Sequence, residues 1–187
     1  MKSKHIIGGL LCTCVALAAC TSNTPWGTSQ NTIGTTQNQK QFDGQILGDL
    51  VVINKNEIAA AKEARIRSHN PEVLRYATFL ETQHTANLQK TLSLGKKLGV
   101  TDESSPLSLR LKKNGQQELN QLRSLNQSAF DRSYINAMVK GHQDAITFLD
   151  QAIAKSTNAV LTQHLQSTRA HVKIHLEKAL MLQQKLG

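Results

Sequence analysis

The chain has 187 residues, 22 basic against 13 acidic, a formal net charge of +9 and 4% aromatic residues. The basic residues are spread rather than clustered, and with so few aromatics this argues against a nucleic-acid surface. Of the three cysteines, Cys12 and Cys14 fall in an amino-terminal segment with the features of an export signal. A mature chain with one thiol can form neither an internal disulfide nor a cysteine metal site.

That segment carries Lys2 and Lys4, then an apolar run from Ile6 to Ala16, and ends in Leu17-Ala18-Ala19-Cys20. This order of parts is an export signal over residues 1–19 closed by a lipobox. Small residues before the cysteine fit a signal-peptidase cleft. The Cys20 thiol would accept a diacylglyceryl group before cleavage makes it the first mature residue. Ordinary cleavage after Ala16-Leu17-Ala18, which would release a soluble protein, is the alternative. The apolar run is too short to span a membrane, which takes about 20 apolar residues. Each buried lipid methylene contributes roughly 0.8 kcal/mol, so two or three chains on Cys20 would hold the protein to a membrane essentially permanently. Thr21 rather than an aspartate after the cysteine resembles lipoproteins sent to the outer membrane of two-membrane bacteria, and the domain is expected to face the periplasm. Loss of Lys2 and Lys4 takes the basic count from 22 to 20 against 13 acidic residues, or +7. Such a charge could meet an anionic envelope component such as lipopolysaccharide, phospholipid or peptidoglycan, or be an ordinary solvated imbalance.

Residues 20–41 consist of the lipidated cysteine and a Thr, Ser, Asn, Gln and Gly-rich stretch with Pro25, Trp26 and no acid. Too little apolar surface is present to offset the cost of ordering, so a flexible tether is expected, with one domain over 42–187. From there the period is helical. A first run spaces Ile46, Leu50, Ile53, Ala60, Ala61 and Ala64 at threes and fours; a second, capped by Asn70 with Pro71 and Glu72 in its first turn, carries Val73, Ala77, Leu80, Leu88 and Thr91. Gly95 and Gly99 close the second run. A third begins near Asp131 with Ile135, Met138, Ile146 and Leu149. A fourth, capped near Asn158, carries Leu161, Leu165, Thr168, Val172, Ala179, Leu182 and Leu186.

No run alternates at period two, and Pro25, Pro71 and Pro106 all avoid helix interiors. The expected fold is all-α. Short connections at Asn70 and at Ser156-Thr157 make two antiparallel hairpins. About 30 residues from Gly99 to Phe130, with a short helical piece at Leu119, Leu122 and Leu125, join them as a crossover. The whole reads as a ferritin-like four-helix bundle.

Winding each helix at about 100° per residue brings out its chemistry. Glu57, His84 and His142 fall in the middle of the first three apolar stripes, and His175 lies within about 40° of the centre of the fourth. Glu81 stands at the edge of its stripe, three residues before His84. At about 1.5 Å per residue, Glu57 and His84 are level, whereas His142 and His175 are offset by roughly 6 Å. His171, one turn nearer the loop, matches the depth of His142 better and is an alternate ligand. His164 and His69 read as surface residues. A buried Glu57 must be neutral, paired, or bound to a cation. Two answers stay open: a metal site, or a Glu and His hydrogen-bond network within the core.

Only the second helix has a Glu-x-x-His, since Val139 and Val172 precede His142 and His175 by three. A carboxylate-bridged di-iron centre needs two such pairs. Three imidazoles with one or two carboxylates suit a single Zn, Cu, Ni or Fe ion. Asp131 suits the cap of the third helix, with Phe130 before it as a hydrophobic staple. Tyr134 can bury its ring and aim its hydroxyl at Glu57 or a histidine.

Glu57, His84 followed by Asn87, the string Phe130-Asp131-Arg132-Ser133-Tyr134, then Met138-Val139, His142, His175-Leu176 and Ala179 together resemble the bacterial domain of unknown function 4142. The most specific piece is Phe-Asp-x-x-Tyr with a histidine eight residues after the tyrosine. The resemblance runs from about residue 46 to 186. It implies a ferritin-like bundle of the periplasm or outer membrane, and shared polar positions at Glu57, His84, Asp131, Tyr134, His142 and His175. It implies no activity. The chain departs from the family pattern at Gln83, where an acid is usual, and at Ala170-His171, where a Leu-Pro pair is usual, so His171 is peculiar to this chain.

Two functions follow. One is a lipid-anchored periplasmic protein that sequesters a transition metal in envelope stress or metal homeostasis. The other is a non-catalytic envelope interaction module with a purely structural polar core. An enzyme ranks behind both, because the sequence has no nucleophile dyad and no phosphate loop.

Overall fold

The computed structural model describes residues 29–100 and 104–187, with side chains from residue 36. The export signal, Cys20 and the first part of the expected tether lie outside the described residues. Five helices follow in order: α1 (Ser29–Arg67), α2 (Pro71–Leu98), α3 (Pro106–Arg123), α4 (Gln127–Lys155) and α5 (Ala159–Leu186). No strand occurs among the described residues, so the fold is an all-α bundle. None of these helices is long and apolar enough to cross a membrane.

Local chemistry sets most of the ends. The Asn70 side chain accepts from the amides of Glu72 and Val73 while Pro71 fills the first helical position, where a missing N–H costs nothing. At the other end of α2, Gly99 adopts a left-handed φ of 64°, and Val100 N–H closes onto Gly95 O at 3.1 Å. Asn158 caps α5 through the amides of Val160 and Leu161. In this way α1 with α2, and α4 with α5, become tightly joined antiparallel hairpins.

Three expectations are corrected. First, the tether does not reach residue 41, because α1 is already helical from Ser29. Once its packed part from Asp43 onward has been nucleated, each further residue adds a hydrogen bond at little cost, and Gln39 braces the extension by donating to Asp43 at 2.8 Å. Second, the crossover holds an 18-residue helix, α3, rather than a short piece. It packs on one side, with Ser108 and Leu122 buried and Leu107, Leu111 and Leu119 half-buried on the same face, but the polar run from Lys112 to Gln117 divides that face, so only its carboxyl-terminal part reads as a helix in the sequence. What binds it is polar. Asn56 of α1 donates to Leu111 O at 2.9 Å, and Arg123 meets Glu63 at 2.9 Å. Gly115 allows the close approach, since a Cβ there would stand 2.4 Å from the Asn56 amide. Third, α4 starts at Gln127, one turn before Asp131. Asp131 therefore caps nothing. It is buried with Oδ1 unpartnered, and Phe130 is a core residue whose ring stacks on Tyr134 at 6.0 Å rather than a staple.

The core has two apolar ends and a polar middle. One cluster gathers Ala61, Ala64, Tyr76, Leu80, Phe130, Tyr134, Met138 and Ala179 at the α1–α2 loop end; the other gathers Ile46, Leu47, Leu50, Leu149, Leu161 and Leu165 at the α4–α5 loop end. Between them lie Asn54, Glu57, His84, Asn87, His142, Thr168 and His175. That layer is the candidate site.

Candidate metal centre

His84, His142 and His175 come from the middles of α2, α4 and α5 and are 4%, 1% and 3% exposed. Each offers one ring nitrogen such that all three lie within 4.8 Å of one another. Ring centroids are 5.1 Å apart for His84 and His175, 5.4 Å for His142 and His175, and 5.8 Å for His84 and His142, with the rings steeply tilted.

Hydrogen bonds fix two of the tautomers. Asn54 uses its amide nitrogen to donate to Leu50 O and Asn87 Oδ1, both at 2.8 Å, so its oxygen is left to accept from His84 Nδ1 at 3.0 Å. Asn87 in turn donates to Thr168 Oγ1 at 2.9 Å. His142 Nδ1 lies 2.7 Å from the carbonyl of Met138, which can only accept. Both imidazoles therefore carry their proton on Nδ1 and present a bare lone pair on Nε2. Those two Nε2 atoms and both nitrogens of His175 are buried without a hydrogen-bond partner in the protein. His175 is held instead by the edge of its ring against Phe79, 5.2 Å between centroids, and by the Tyr76 hydroxyl donating to its backbone carbonyl at 3.1 Å.

Burial also keeps the rings neutral. It pushes His142 down to about 4, despite the opposing hydrogen bond to Met138, and His175 down to about 3, helped by His142, His171 and Lys178. His84 is held well below its ordinary value by burial and then by the other two rings. Three neutral, oriented imidazoles with orphaned lone pairs fit a divalent or monovalent transition ion, for which imidazole is a suitable donor.

The remaining sequence candidates divide. Glu57 is on the other side of the layer: its Oε2 is buried and unpartnered, and its Oε1 lies against Gly141. It lines a cavity of about 380 Å³ between α1, α3 and α4 with Glu118 and Lys140. Burial raises its carboxyl to about 8, so it is largely protonated at neutral pH and is not grouped with the three rings. Glu118 is raised too, by burial and then by Glu57. Glu81 turns outward to Arg65 at 2.6 Å, because a residue three positions before His84 sits about 60° off its direction. His171 is exposed, and His175 is the inward group. Tyr134 is buried with an unpartnered hydroxyl, and burial followed by the charge of Glu57 raises its pKa.

The 6 Å depth mismatch closes for a directional reason. Side chains lean toward the amino end of their own helix, which carries His142 away from the α4–α5 loop and His175 toward it. Asn54, Asn87 and Thr168 were the polar supports that helix winding alone did not single out. Their signal was a small polar residue on an otherwise apolar stripe. His164 is half-buried rather than superficial, with Nε2 3.0 Å from Thr91 Oγ1.

A family described as domain of unknown function DUF4142 matches residues 28–182. The chain belongs to that family. Among solved structures, a DUF305 protein of Streptomyces coelicolor, described as secreted, has a similar fold: TM-score 0.68 at 14% identity, over 78% of this chain and 94% of that one. No curated protein matches.

Proposed function

We propose that this family member is a lipid-anchored envelope protein that holds one transition-metal ion on His84, His142 and His175. The observation that carries the reading is the convergence of three buried imidazoles whose lone pairs find no hydrogen in the protein. Leaving such groups unpaired costs about 1–3 kcal/mol each, and a structural polar core would have paired them. The donor set is all nitrogen, without a thiolate or an ionised carboxylate, so zinc and copper are favoured among Zn, Cu, Ni and Fe. Such an ion is a Lewis acid, but Glu57, the obvious proton-transfer group, lies in the other cavity; sequestration is favoured over catalysis.

We read the all-α bundle as ferritin-like, with the four long helices α1, α2, α4 and α5 around the site and α3 riding on the crossover. The lipobox at Cys20, Thr21 after it and the secreted character of the structural neighbour support an extracytoplasmic, outer-membrane location. There the basic surface would lie beside anionic envelope material. The polar-core reading remains the rival.

The test is the metal content of the chain from Thr21 on, exported without a histidine tag, beside His84→Ala, His142→Ala and His175→Ala. About one ion per chain, lost in every variant while helicity is kept, is expected. A wild-type protein that emerges empty and ignores added Zn, Cu, Ni and Fe would overturn the reading in favour of a polar core.

A further inference from the structure

Resting on that metal reading, we propose that the groove between α2 and α5 is the access port through which the ion reaches the triad, with His171 as its first ligand. A cavity of about 220 Å³ opens there. Its floor is made by the buried His84 and His175, whose nitrogens include the unpartnered ones, and its mouth by exposed residues: Ala86, Lys90, Ser167 and His171. His142 completes the triad from behind and does not line this cavity.

The α5 wall carries His164, Thr168, His171 and His175 at spacings of four, three and four, which is one helical face. His171 stands one turn from His175, a rise of about 6 Å. An ion captured at the surface therefore moves a single turn to reach the floor. His164 is oriented for a supporting part. Thr91 donates its hydroxyl to Asn87 O at 2.8 Å, so it accepts from His164 Nε2, and the unprotonated nitrogen of that ring is Nδ1. Imidazoles on the route match the imidazoles at its end, which selects the same class of ion throughout. Lys90 at the mouth repels every cation alike, so entry is driven by exchange of water for the imidazole of His171 rather than by charge.

The test follows Co²⁺ uptake by stopped-flow absorbance, and its removal by a chelator, in the mature protein. His171→Ala is expected to slow both rates about tenfold, with stoichiometry and equilibrium affinity within about twofold of wild type. His171→Cys, which restores a ligand, should recover the rates, and Ser167→Trp, an exposed change that narrows the mouth, should slow them without loss of the bound ion. Unchanged rates in His171→Ala would overturn the port while leaving the metal site intact. Loss of the ion at equilibrium in His171→Ala would make it a resident ligand and overturn the port equally. A wild-type protein that takes up no ion would fail the metal reading and the port with it.

Discussion

The two cavities differ in chemistry although Ile53 and Ala145 line both. Toward α2 and α5, burial acts on bases. It strips protons from three imidazoles and leaves neutral donors, two of them aimed by Asn54 and the Met138 carbonyl. Toward α3, burial acts on an acid and holds the proton on Glu57 up to about pH 8. One physical cause, the removal of water, prepares one side to take a cation and the other to remain uncharged. Side-chain type alone would have grouped Glu57 with the histidines; the environment separates them.

Acid breaks the comparison most strongly. In the unfolded chain the three histidines protonate near their ordinary value of 6.5, whereas folded His142 and His175 wait until about 4 and 3. Stability is therefore fully present above pH 6.5 and is lost as pH falls toward 4, by about 3 kcal/mol from His142 alone. Denaturant melts of the metal-free protein between pH 7 and 4 should show this fall, and His142→Gln should lessen it by that share, leaving the part due to His84 and His175. A wild-type curve already flat over that window would mean that the rings are solvated.

Glu57 has the opposite sign. Its unfolded carboxyl ionises from about pH 4.5 and its folded one only near 8, so wild-type stability drains as pH rises through that interval. Glu57→Gln, which never ionises, should match wild type near pH 4.5 and exceed it by about 4 kcal/mol at pH 8. Urea melts at the two pH values decide it. A variant weaker than wild type at pH 8 would show that Glu57 is charged and partnered.

Much of this was legible in the sequence, for reasons that also explain the failures. The 3.6-residue period placed His84, His142 and His175 on facing stripes, and caps such as Asn70 and Asn158 are local interactions that a short window contains. The winding places Glu57 at the axis only for an α1 that packs on one side. In fact α3 covers a second face, and its apolar stripe of Leu107, Leu111, Leu119 and Leu122 is divided by the polar run from Lys112 to Gln117. Likewise, Asp131 reads as a cap because the turn that precedes it, Gln127 to Phe130, contains no strong helix signal. The fold, with its repeated pattern, could be read; the side of the layer on which a single carboxyl lies depends on where α3 docks, which no local pattern records.

The smallest effect sharpens the separation further. A methyl group at Gly141, the residue before His142, would stand 3.2 Å from Glu57 Oε1, and the carboxyl would have to give way. Replacing a mid-helix glycine by alanine otherwise gains about 0.5–1 kcal/mol. Gly141→Ala should therefore be nearly neutral in the wild-type background, where crowding offsets the gain, and stabilising by about 1 kcal/mol in Glu57→Ala, where the carboxyl is gone. Thermal melts of the four proteins in this cycle measure the coupling directly. Equal gains in both backgrounds would show that Glu57 does not rest against α4. Metal content adds the complementary reading: Glu57→Ala should keep its ion, since the carboxyl is on the far side of the layer, and loss of the ion would return Glu57 to the ligand set and dissolve the distinction between the two cavities.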